Sequence, residues 1–126
     1  MLAFFKVAYY NRIKIQKQSK EIIMTIDDLR RLCKDETIQI SEHCYKRSVE
    51  RKITYDEIKQ CILSGEIIED YPDDYPFPSA LVLNQKTGKP LHVVAGLSEE
   101  YLWIITVYRP ESDKWESDHK TRKELK

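Results

Sequence analysis

Apolar residues first recur at helical spacing at Ile26, Leu29, Leu32 and Cys33. Thr25 stands where an N-cap belongs and Asp27 and Asp28 fall in the first turn, so a short helix is predicted from Thr25 to about Lys34. Thr37 to Ile40 reads as a brief strand, after which Ser41 caps a second helix. At 100° per residue this helix sets Cys44, Tyr45, Ser48 and Val49 on the arc opposite His43, Arg47 and Arg51. The first set is expected to enter the core and the second to face solvent. Thr54 and Glu57 form a capping box for a third helix, with Tyr55, Ile58, Cys61 and Ile62 on its inner side and Gly65 placed to end it.

Beyond Gly65 the pattern changes to short extended runs, Ile67 to Tyr71, Ala80 to Gln85, Leu91 to Leu97 and Tyr101 to Tyr108, which read as an antiparallel meander. Lys86 to Pro90 and Ser98 to Glu100 are short and polar, as hairpin loops are, while Pro72, Pro76 and Pro78 keep the stretch from Tyr71 to Pro78 out of regular structure. Period two separates His92, Val94 and Gly96 from Leu91, Val93, Ala95 and Leu97. On the last strand Thr106 and Tyr108 are expected on the side of Leu102 and Ile104, joining His92 if the registers match. A last helix is predicted from Ser112 or Asp113, with Trp115, His119 and Arg122 on one face. Helices first and strands second describe an α+β domain in which helices cover one sheet face.

With 126 residues, 41% of them hydrophobic, the chain suffices for one core and is too short for two ordinary domains. Lys and Arg number 21, as do Asp and Glu, so the basic excess of a protein that grips duplex DNA by itself is missing. The balance is uneven. Residues 1–23 carry five basic groups and one acid, a composition unlike the rest, and Met24 directly precedes a capped helix, so Met24 is expected to be the natural start and 24–126 the single domain. The alternative for residues 1–23 is a basic amphipathic arm for a membrane surface or RNA. No apolar run approaches the length of a membrane helix and no signal peptide is evident, which leads to the expectation of a cytoplasmic protein that neither spans nor binds a membrane. Cys33, Cys44 and Cys61 lack a C-x-x-C pair, and His43, His92 and His119 lack ligand spacing, so no disulfide framework, metal or other cofactor is expected.

His43, Arg47 and Arg51 stand four residues apart, with His43 and Arg51 separated by about 12 Å along a helix axis. Arginine forks match phosphate oxygens and histidine titrates nearest neutrality, so the trio suits phosphate binding with proton transfer. A merely solvated face explains the same spacing, through ion pairs of Arg47 with Glu50 or of Lys46 with Glu42 or Glu50.

The blocks Ser41-x-His43-x-x-x-Arg47-x-x-x-Arg51-x-Ile53-Thr54-x-x-Glu57-Ile58, Gly65-Glu66-Ile67-Ile68-Glu69-x-Tyr71, Leu91-His92-Val93-Val94 and Ile105-Thr106-Val107-Tyr108-x-Pro110, in this order, resemble the domain of unknown function 4258 family over roughly residues 25–124. That family resembles in turn the metal-independent ribonuclease toxins of RelE-like and barnase-like fold. The resemblance implies N-terminal helices packed on a curved antiparallel four-stranded sheet, RNA as substrate, and as partner an antitoxin, often a small zinc-binding or DNA-binding protein. It carries the polar signature onto His43, Arg47, Arg51, His92 and Tyr108, with Trp115 and Arg122 in the C-terminal segment. Arg109 is added on chemical grounds, as a cation beside a phenol.

Metal-free RNA cleavage requires deprotonation of the 2′-hydroxyl, cationic support of the phosphorane and protonation of the 5′-oxygen. His43 or His92 as base, the other or Tyr108 as acid, and Arg47 and Arg51 on the developing charge meet these needs, with Arg109, Trp115 and Arg122 binding substrate. The products would be a 2′,3′-cyclic phosphate and a 5′-hydroxyl. The competing class is a non-catalytic module, docking protein through Tyr71, Tyr75, Phe77 and the acids between Glu66 and Asp74, or binding RNA without cutting it.

Overall fold

A computed structural model of the chain describes residues 24–124, so the basic extension 1–23 and the expected start that depends on it lie outside the described residues. The caps behave as their side chains dictate. Helix α1 (Ile26–Arg31) opens with a reciprocal capping box in which the Thr25 hydroxyl accepts from the Asp28 N–H and the Asp28 carboxylate accepts from the Thr25 N–H at 2.8 Å. It is shorter than the reading to Lys34, because the Thr37 hydroxyl takes the Leu32 carbonyl at 2.8 Å and turns the chain into strand β1 (Ile38–Ile40). Ser41 caps helix α2 (Glu42–Glu50) through the Cys44 N–H, and Thr54 and Glu57 make the box that starts helix α3 (Tyr55–Ser64).

Between α2 and α3 the backbone closes a Schellman turn. The Ile53 N–H donates to Ser48 O at 2.8 Å and the Lys52 N–H to Val49 O at 3.1 Å, with Lys52 at φ 57°. This turn makes Arg51 the C-cap of α2 and sets the helix end beside the sheet, where the Arg51 Nη1 donates to Val107 O at 2.7 Å.

Strands β2 (Glu66–Tyr71), β3 (Ser79–Asn84), β4 (Leu91–Leu97) and β5 (Leu102–Tyr108) form the expected meander. The expectation of a curved, four-stranded, wholly antiparallel sheet is corrected by β1. It adds a fifth strand parallel to β5, pairing Ile38 with Leu102 and Ile40 with Ile104, in an open sheet of order β1-β5-β4-β3-β2. The physical reason lies in the edge groups of β5, among which the Leu102 N–H donates to Thr37 O at 2.9 Å.

Leu29, Ile58, Cys61 and Ile62 from the helices meet Ala80, Val82, Val93, Ala95, Leu102, Ile104 and Val107 from one sheet face in a single cluster. Each buried Leu or Ile contributes about 1.5–3 kcal/mol there. The three cysteines belong to this core, and burial pushes the Cys61 thiol up to about 12, as befits a packing group rather than a nucleophile. Three expectations fail. Tyr55, read on the inner side of α3, is 39% exposed and donates its hydroxyl to Asp35 at 2.8 Å. Tyr45 and Val49, read as core, are 61% and 58% exposed, because α2 touches the domain along only the narrow line of Cys44 and Ser48. The C-terminal helix does not form either. After one turn, in which the Trp115 N–H reaches Glu111 O at 3.0 Å, the Asp118 carboxylate accepts from the Lys120 and Thr121 N–H groups and holds a loop, and Trp115 bridges to Arg122. Among the described residues no helix is long and apolar enough to cross a membrane.

Candidate functional site

The second sheet face carries the polar groups, and a bulge in β5 places them. Val94 pairs with Thr106 and Ala95 with Ile104, so Ile105 is the extra residue. The insertion inverts the alternation along the strand. Leu102, Ile104 and Val107 join the helix-side core, while Thr106 and Tyr108 turn to the other face, opposite to the side read from period two alone. His92 then pairs directly with Tyr108 across the ladder.

His92 is fully buried under residues 110–124. Its Nδ1 lies 3.1 Å from the Tyr108 hydroxyl and its Nε2 2.7 Å from the His119 carbonyl oxygen, and the Trp115 ring stands edge-on at 4.5 Å. Burial pushes the imidazole below its usual range, opposed by the His119 carbonyl and by Glu69. Burial likewise raises the Tyr108 phenol.

The covering segment is tied down by charge. Arg122 forks onto Glu69 at 2.8 and 2.9 Å and lies over the Trp115 ring, 4.6 Å from its centroid. That fork holds the Glu69 carboxyl below its ordinary range, while burial and then the bond to Glu69 push the Tyr71 phenol up to about 12. Lys120 pairs with Glu66, and His119 Nδ1 meets Gln85 Oε1 at 2.9 Å.

Between this segment and the end of α2 runs an open groove of about 850 Å³, lined by Arg51, Thr106, Tyr108, Arg109, Trp115, Arg122 and Lys123 among others. It therefore brings together five of the eight residues expected to form the site. Arg51 spends one donor on Val107 O and remains exposed. Arg109 is clamped to Glu57 and to the Lys89 carbonyl at 3.2 Å, so its charge is matched before any ligand arrives. His92 does not line the groove and touches two residues that do, Tyr108 and Trp115.

The other two expected residues stand apart. His43 is exposed on the first turn of α2 and does not line the groove, and Arg47 is paired with Glu50 at 3.5 Å, as the solvated-face reading has it. His92 faces away from the helical layer that bears them. Glu69, read from the sequence only as one acid of a protein-docking edge, and the His119 carbonyl, which no reading singled out, are among the groups around His92. Glu69 and Tyr71 sit two apart in an extended run, which was the available signal for the first, whereas a backbone carbonyl leaves none. Among the described residues no group of three or more His, Cys, Asp or Glu side chains is placed to hold a metal ion.

A family model described as Domain of unknown function (DUF4258) matches residues 40–109, more than half of the chain and every strand of the sheet except most of β1. No curated protein and no solved structure matches the chain.

Proposed function

Because the chain belongs to the family described as Domain of unknown function (DUF4258), whose description names no reaction, we propose from the groove itself that the protein is a metal-independent endoribonuclease acting on single-stranded RNA. The observation that carries the reading is the convergence of Arg51, Tyr108 and Arg122, from three separate segments, on one open groove. Two guanidinium groups suit a phosphodiester and its more highly charged phosphorane, and a phenol lining the same groove suits proton exchange with a ribose or leaving oxygen. The 2′-hydroxyl attacks the adjacent phosphorus and expels the 5′-oxygen, giving a 2′,3′-cyclic phosphate and a 5′-hydroxyl. Arg51 is the group most available for the developing charge, because Arg122 already shares its own with Glu69. The likeness to RelE-like and barnase-like toxins, and an antitoxin as partner, belong to this proposal.

A second reading, RNA binding without cleavage, is favoured by the burial of His92 and the engagement of both its nitrogens, since no free imidazole then meets the groove. The two separate in one assay. Purified protein incubated with single-stranded RNA in EDTA is expected to cut it and to leave 5′-hydroxyl ends that a polynucleotide kinase labels. Arg51→Ala is expected to slow cutting by about 10²-fold or more. Intact RNA retained in a salt-sensitive complex would instead establish the binding module, and cleavage untouched by Arg51→Ala would remove the groove from the reaction.

A further inference from the structure

We infer that His92 acts as a positioning residue through Tyr108, accepting the phenol's hydrogen bond so that Tyr108 faces the groove as a proton acceptor for the substrate's 2′-hydroxyl. This rests on the ribonuclease reading. The direction follows from hydrogen bookkeeping at three atoms. Carbonyl oxygen only accepts, so the Nε2 that stands 2.7 Å from His119 O carries the imidazole hydrogen. A neutral ring has one N–H, which leaves Nδ1 with a bare lone pair, and at 3.1 Å from the Tyr108 oxygen it receives the phenol's single hydrogen. The phenol oxygen therefore offers its lone pairs to the groove that Tyr108 lines.

The surroundings keep that arrangement. Trp115 closes edge-on over the ring, and the titratable or charged groups that face His92 are Glu69 from β2, Tyr108 from β5, and His119 and Arg122 from the covering segment. Burial lowers the proton affinity of the imidazole and favours the neutral ring, and the His119 carbonyl and then Glu69 oppose that loss in part.

In the step, the O2′–H bond breaks as a bond to the Tyr108 oxygen forms, and the phenol's own hydrogen passes to His92 Nδ1. The O2′–P bond forms, the P–O5′ bond breaks, and its electron pair leaves with O5′, which takes a proton from water in the open groove. The hydroxide so made removes the extra proton from His92 by way of the same phenol. Tyr108 ends each passage as a phenol. The net acceptor is thus an imidazole, ordinarily near about 6.5, rather than a phenol near about 10.

Two measurements on the full chain test this. Nitrogen-15 NMR at neutral pH is expected to find His92 neutral with the hydrogen on Nε2, and Tyr108→Phe is expected to shift the Nδ1 signal. In RNA cleavage, Tyr108→Phe is expected to lose about 10²-fold or more in rate. The wild-type rate is expected to fall on acidification with a midpoint below about 6.5, and that acid limb is expected to vanish from the residual activity of Tyr108→Phe. A hydrogen on Nδ1, or an imidazolium at neutral pH, overturns the relay and leaves the ribonuclease reading standing. Wild-type cleavage that Tyr108→Phe leaves intact does the same, whereas no cleavage by the wild type overturns both.

Discussion

At Gly65, where α3 gives way to β2, an added Cβ would stand 2.3 Å from the Cys61 carbonyl oxygen and 2.5 Å from that of Leu83. Both obstacles are backbone and neither can swing aside, so Gly65→Ala is expected to destabilise the fold by about 3 kcal/mol, near the upper end of ordinary overpacking, in urea unfolding. His92 sets a pH dependence of the same sign as the ion-paired Glu69 carboxylate, in a higher pH window. Burial lowers its folded-state proton affinity, so the unfolded chain takes up the proton first, near about pH 6.5. The contribution is fully present above that pH and declines as pH falls towards the folded value. The urea midpoint is accordingly expected to be lower at about pH 5.5 than at about pH 7.5, an interval above the ordinary carboxylate range, and an unchanged midpoint would contradict the burial of a neutral ring. The sequence made His92 and Tyr108 visible as titratable groups on strands. Their pairing was not legible, because one inserted residue, Ile105, decides which face Tyr108 meets.

Helix α2 shows how far an element can be read from its ends. Ser41, Thr25 and the Thr54 box started helices where their side chains required, since a cap is local chemistry between residues three apart. The inner face of α2 was less legible, because amphipathic spacing does not tell how wide a strip the neighbouring strand will cover. Ile58→Ala in the core face of α3 is expected to cost about 2–5 kcal/mol, while Val49→Ala on the exposed arc of α2 is expected to stay within about 0.5 kcal/mol. Lys52 occupies the left-handed position that closes α2, a conformation that costs a side chain about 1–2 kcal/mol and glycine much less. After the extra chain entropy of glycine, Lys52→Gly is expected to raise stability by about 0.5–1 kcal/mol, read as a higher midpoint in thermal or urea unfolding. The C-terminal stretch misled for a reason of the same local kind. Trp115, His119 and Arg122 have helical spacing, yet the Asp118 side chain supplies the backbone N–H groups of Lys120 and Thr121 with a partner that a helix would have denied them.

For the whole molecule, the α+β order and the meander were legible, and the parallel fifth strand was not, because β1 and β5 lie more than sixty residues apart and nothing local records their pairing. The chain's zero net charge means that any hold on RNA is local rather than spread over the whole surface. With Arg51 and Arg122 as the phosphate ligands, the affinity for a single strand is expected to fall with the logarithm of salt at a slope of roughly −1.4, far shallower than that of a protein that tracks many phosphates. RNA is expected to meet the protein in this groove rather than on the exposed face of α2, and NMR shift mapping with a short RNA oligonucleotide whose 2′-hydroxyls are methylated, so that it cannot be cut, distinguishes the two. The perturbed signals are expected to cluster at Arg51, Thr106, Tyr108, Trp115 and Arg122. Perturbations confined to His43, Lys46 and Arg47, with the groove silent, would contradict that placement.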